Sequence, residues 1–124
     1  MGAMKLGTVA FGLVITIVTA SEIDGTATEC NKAVTNLLPC EPFMLGLGPV
    51  APPNNCCMGL AIIFERAKTL YDRRFTCTCL KVAMMRAGIK HRRAIQLPRF
   101  CKIHFSFPID PLVDCTSTQE GMDG

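Results

Sequence analysis

Tryptophan is absent, tyrosine occurs once, and aromatic residues make up 6% of the 124 positions. The few aromatics do not interleave with basic residues, so the pattern of a nucleic-acid-binding surface is missing. Charge is scarce as well: Asp, Glu, Lys and Arg account for 19%, below the usual share of about a quarter. With 49% hydrophobic residues, this excludes a chain that is disordered throughout. Only two histidines occur, His91 and His104, and they lack the spacing of metal ligands. There is no C-x2-C pair, nucleophile elbow, H-E-x-x-H or P-loop. Catalysis, a bound metal and a cofactor are therefore not expected. No internal repeat is visible, and beyond the N-terminal region no apolar run is long enough to cross a membrane. The length accommodates one domain.

Cysteine is the exception to this scarcity, with eight in the chain. In a short secreted protein an even number of cysteines reads as a disulfide framework. The N-terminus supplies the secretory context. Lys5 is the only charged side chain before Glu22, and Leu6 to Ala20 is apolar or small throughout. A basic start, an apolar run of about 15 residues and the ending Val18-Thr19-Ala20 match a signal peptide cleaved after Ala20. Gly25-Thr26-Ala27 offers a later cleavage site. The rival is an uncleaved anchor, but the run falls short of the roughly 20 residues that span hydrocarbon. The expectation is a signal peptide over 1–20, a domain over 28–115 and a frayed polar tail over 116–124. The mature protein would be secreted, to the extracellular space or cell wall.

Thr28 is placed to N-cap a first helix from Glu29, with Cys30, Ala33/Val34 and Leu37/Leu38 at helical spacing. Pro39 ends or kinks it. Residues 46–53 read as a loop from their Gly and Pro content. Asn54 or Asn55 caps a second helix whose apolar face is Cys57, Leu60/Ala61, Phe64 and Ala67. A third helix runs from Tyr71 or Asp72 to Ala87 and stops at Gly88. A short fourth covers about 91–96, before Leu97-Pro98. From Lys102 the chain is extended, with Ile103, Phe105, Phe107 and Ile109 alternating with less apolar residues. Helices this short are marginal alone in water. The bridges compensate, each contributing roughly 2–4 kcal/mol.

Eleven Lys and Arg lie between Arg66 and Lys102, whereas only acids follow Lys102. The stretch is either a solvated basic face or a surface attracted to anionic membranes or cell-wall polyanions.

The cysteine pattern is Cys30-x9-Cys40-x15-Cys56-Cys57-x19-Cys77-x-Cys79-x21-Cys101-x13-Cys115. Counting alone leaves every pairing open. The order C…C…CC…CxC…C…C resembles the eight-cysteine framework of the prolamin-type superfamily, which covers plant lipid-transfer proteins, hydrolase inhibitors and seed-storage albumins. The gaps of 19 and 13, and the polar Thr78 in Cys77-Thr78-Cys79, are similar to the type 1 non-specific lipid-transfer proteins. Thr69-Leu70-Tyr71-Asp72-Arg73 resembles that family's [T/S]-x-x-D-[R/K] pentapeptide. Leu38-Pro39-Cys40, Pro52-Pro53, Gly59-Leu60 and Leu97-Pro98 are similar too. The resemblance covers about Thr28 to Cys115. The second pentapeptide, P-Y-x-I-S, is reduced to Ser106-Phe107-Pro108-Ile109-Asp110, and the Cys40–Cys56 gap is slightly long. Bulky Phe64 and Phe105 stand where small residues are common.

The resemblance implies an all-α fold: four short helices in a right-handed superhelix, with an extended C-terminal tail, four disulfides and an internal hydrophobic tunnel. The implied pairs are Cys30–Cys79, Cys40–Cys56, Cys57–Cys101 and Cys77–Cys115. The type 2 arrangement would instead join Cys30–Cys77 and Cys79–Cys115. The implied function is an extracellular, monomeric carrier of fatty acids, lysolipids or phospholipids, without catalysis and without binding nucleic acid. Arg73 matches the basic position by the tunnel mouth, where its planar fork suits a phosphate or carboxylate headgroup. An ion pair with Asp72 is the competing role for Arg73. Val34, Leu38, Leu60, Phe64, Leu80, Met84, Ile103, Phe107 and Ile109 are the candidate tunnel lining, and for each a place in an ordinary core is the alternative. Two further functions share this scaffold: inhibition of an amylase or protease, and a membrane-active defence role through the basic stretch.

Overall fold

Prolines, one threonine and one glycine set most of the helix boundaries. The computed structural model describes residues 27–117. The expected signal segment over 1–20 and residues 118–124 of the expected tail lie outside the described residues. The chain divides after Asn31 into two units. Of the first, residues 27–31 are described, and they are helical. The backbone is helical over 27–37, which we call α1. It has begun by Ala27, so Thr28 lies inside the helix rather than at its N-cap.

In the second unit Ala33 and Leu37 of α1 are buried. Pro39 has no N–H to continue the ladder, and a 3-10 turn follows at Leu38–Cys40. A short helix α2, Glu41–Met44, comes directly after it with Pro42 in its first turn. There the missing N–H is no loss and the fixed φ of proline suits the helix. Phe43 and Met44 of α2 are each 1% exposed.

Helix α3 spans Asn54–Arg66. Extended Pro53 precedes it, and neither Asn54 nor Asn55 caps it through a side chain. Its buried face is Cys56, Gly59, Leu60 and Ile63, one residue earlier around the helix than the face expected from Cys57 and Phe64. Gly59 explains the offset. A Cβ there would lie 1.9 Å from the Asn36 carbonyl oxygen, so α3 meets the backbone of α1 at a position only glycine permits.

Helix α4, Leu70–Ala87, begins where Thr69 Oγ1 accepts a hydrogen bond from the Asp72 N–H at 3.0 Å. It ends at Gly88, which adopts φ 74°. The Gly88 N–H donates to Met85 O and the Ile89 N–H to Met84 O, the paired bonds of a Schellman stop. Cys77, Leu80 and Met84 face inward.

The expected fourth helix over 91–96 is the shorter α5 (His91–Ala94), and a further helix, α6 (Leu97–Cys101), follows where the sequence pattern points to none. Pro98 starts α6 rather than ending its predecessor, because it sits in the first turn. The tail beyond forms no strand among the described residues. Its odd-numbered residues from Phe105 to Cys115 are buried and, apart from buried Ser106 and half-buried Asp110, its even-numbered ones face outward. Thr116 and Ser117, expected to fray, are held in a 3-10 turn at Cys115–Ser117 by Asp114. Three bridges tie the elements together: Cys40–Cys56, Cys57–Cys101 and Cys77–Cys115. Cys30 and Cys79 are likewise disulfide-bonded. Leu60, Leu80, Leu97 and Phe107 form the driest part of the core, with no exposed surface.

Candidate functional site

The turn from α3 to α4 builds the most distinctive opening. Ala67 ends α3 out of helical geometry and is buried. The Thr69 cap then restarts the chain so that Arg73 sits one turn into α4. From there Arg73 Nε donates to Ala67 O at 3.3 Å, which holds the guanidinium over the turn. Among the described residues Arg73 forms no ion pair, with Asp72 or any other acid.

Arg73 borders an open groove of about 350 Å3. Ala61, Phe64, Glu65, Ala67 and Lys68 form one side; Ile103, His104 and Ser106 of the tail form the other. The Phe64 ring stands 4.7 Å from Phe105 and 4.9 Å from Phe107, centroid to centroid. Ser106 is 8% exposed, and its hydroxyl has no hydrogen-bond partner. Lys68 pairs with Glu65 at 3.3 Å, but both side chains are largely exposed and such pairs contribute little. The groove thus combines an aromatic wall, a cationic rim and one unused hydroxyl. That combination suits an amphiphile with an anionic end.

A second, smaller cavity of about 60 Å3 lies between α1, α2 and α4, against Val34, Leu37, Leu38, Met44 and Met84 among others. It has room for a few water-sized groups only. The residues predicted to bind ligand therefore separate into three places. Arg73, Phe64 and Ile103 line the groove. Val34, Leu38 and Met84 line the small cavity. Leu60, Leu80, Phe107 and Ile109 are packed in the core, each at most 2% exposed. Lys68, His104 and Ser106 line the groove without belonging to the predicted lining. The period of two gave a clue to the last: a Ser on the outward side of an apolar alternation is the natural place for a break in it. Among the described residues no group of three or more His, Cys, Asp or Glu could hold a metal ion.

A family model described as "Probable lipid transfer" matches residues 10–109. "Non-specific lipid-transfer protein 1" of Solanum lycopersicum is 36% identical over 94 residues, covering 75% of this chain and 80% of the relative. The solved structure of the hazelnut allergen Cor a 8 is similar at 28% identity and a TM-score of 0.64, covering 73% of this chain and 97% of that one. A lipid transfer protein solved in complex with palmitoyl coenzyme A is similar at 27% identity and a TM-score of 0.55, covering 73% and 99%.

Proposed function

The chain belongs to the plant non-specific lipid-transfer proteins, and on that premise we propose that it takes up fatty acids, lysolipids or phospholipids by their acyl chains and passes them on chemically unchanged. It is a carrier, not an enzyme. One observation supports the route of uptake: Phe64 and Ile103 line the groove beneath Arg73 and also pack against the core cluster. An acyl chain entering there meets apolar surface without interruption, while its headgroup stays beside the guanidinium.

Each methylene removed from water gains about 0.8 kcal/mol. A chain of about 14 methylenes gains on the order of 11 kcal/mol gross, before ordering costs. That is ample to part side chains that are packed together in the unliganded protein. Met44 and Met84 are suited to this, because an unbranched thioether repacks easily. The bridges keep the frame in place while the interior opens into a tunnel. Residues 1–20 direct the chain into the secretory route, residues 28–115 form the working domain, and the mature protein acts as a monomer outside the cell. Anionic membrane surfaces are its second class of partner.

Displacement of a fluorescent fatty acid from the oxidised mature protein tests this reading. Saturable binding with one site is expected. Its absence, with four bridges verified by mass, would overturn the carrier.

A further inference from the structure

Helix α4 carries two apolar stripes. The inward one, Cys77, Leu80 and Met84, belongs to the core. The other is Tyr71, Phe75, Val82 and Met85, with the polar Thr78 among them. At about 100° per residue these five fall within a sector of roughly 80°, centred opposite Leu80. Tyr71 is 74% exposed, Met85 58% and Val82 39%. The rings of Tyr71 and Phe75 stack with centroids 6.3 Å apart and planes 11° from parallel. With Leu70, Arg74 and Thr78 they frame an open depression of about 500 Å3. Single exposed apolar residues are ordinary, but four apolar residues aligned on one outward helix face are not.

Charge selects the partner. Arg74, Lys81 and Arg86 lie beside this stripe, whereas Arg73 turns away to the groove and the one acid of α4, Asp72, projects about 100° from the stripe's centre. In the same projection Arg74 and Lys81 border one edge of the stripe and Arg86 the other. From the tail, Asp114 is close enough to Lys81 to feel its charge. An apolar helix face edged by cations is the arrangement of an interfacial helix. A tyrosine at the N-terminal end of the stripe suits the headgroup level. A second copy of the chain fits less well, because a two-fold pairing of this face would bring like-charged borders together.

We propose that the outward face of α4 seats the protein on an anionic bilayer surface, from which lipid is exchanged. The geometry stands by itself; its purpose rests on the carrier reading above. The test is co-sedimentation of the full oxidised protein with vesicles of phosphatidylcholine, alone or mixed with phosphatidylglycerol. Binding is expected to the mixed vesicles, weakening as salt rises. Lys81→Gln should weaken it about fivefold, and the double variant Tyr71→Ser, Met85→Ser by roughly tenfold or more. Both variants should retain fatty-acid displacement, which also reports that they fold. Equal binding to both vesicle types, no binding to either, or unchanged binding by both variants would overturn the proposal. So would a dimer in sedimentation equilibrium that the double variant dissociates. Vesicle binding without fatty-acid binding would leave this face intact and remove the carrier reading alone.

Discussion

The half-buried ring of Phe64 lies 4.9 Å from the ring of Phe107, which has no exposed surface. One α3 side chain therefore touches both the groove and the driest part of the core. Phe64→Ala should cost roughly 2–4 kcal/mol, somewhat less than for a fully buried ring. Guanidinium denaturation of the oxidised protein measures it.

Arg73 holds its place through the Ala67 carbonyl and keeps its charge at the rim of the groove. Arg73→Gln should weaken binding of an anionic lysophospholipid about tenfold, the scale of a lost hydrogen bond to a charged group. Binding of an uncharged acyl alcohol should change little. Competition against the same fluorescent fatty acid separates the two.

Ser106 buries a hydroxyl without a partner, and such a group costs about 1–3 kcal/mol. Ser106→Ala should therefore stabilise the unliganded protein, by on the order of 1 kcal/mol. A higher thermal midpoint without lipid is the expected result.

Gly59→Ala would stabilise an exposed helix by about 1 kcal/mol. Here the added methyl would run into the Asn36 backbone, so a loss of roughly 1–3 kcal/mol is expected instead. The sign alone decides whether α1 and α3 approach as closely as described.

Asp114 accepts hydrogen bonds from the Thr116 hydroxyl at 2.6 Å and the Thr116 N–H at 3.1 Å. The hydroxyl first, then the N–H, hold its carboxyl below the ordinary carboxylate value; burial opposes them, and the charge of Lys81 adds a lowering smaller than that opposition. Its contribution to stability is present above the unfolded-state value and is lost as pH falls through the lower folded-state value. Asp114→Asn should lower the thermal midpoint at neutral pH. The gap to the unsubstituted protein should close once pH drops below the carboxylate range.

How far the fold was legible differed by element. The C-terminal end of α4 is legible, since Gly88 acts through backbone freedom; its start at Leu70 is not, since the Thr69 cap precedes the Tyr71 or Asp72 to which the sequence pattern points. Helices α2 and α6 are not legible either, because Pro42 and Pro98 look like breakers until their place in a first turn is known. The apolar pattern places the face of α3 one residue late, since a glycine adds nothing to an apolar count yet marks the close approach to α1. For the site, Arg73 and Phe64 were legible from the pentapeptide and the helix. The separation of groove, small cavity and packed core was not, because it depends on where side chains from distant segments meet.

The exposed stretch from Gly46 to Val50 lies between two cysteines that are bonded to each other, Cys40 and Cys56. A protease that cuts this stretch therefore releases nothing. The nicked chain gains one water in mass, its two pieces stay joined, and the cut shows only after reduction. Digestion in an oxidising medium should accordingly leave particles of nearly full size long after the first peptide bond is broken.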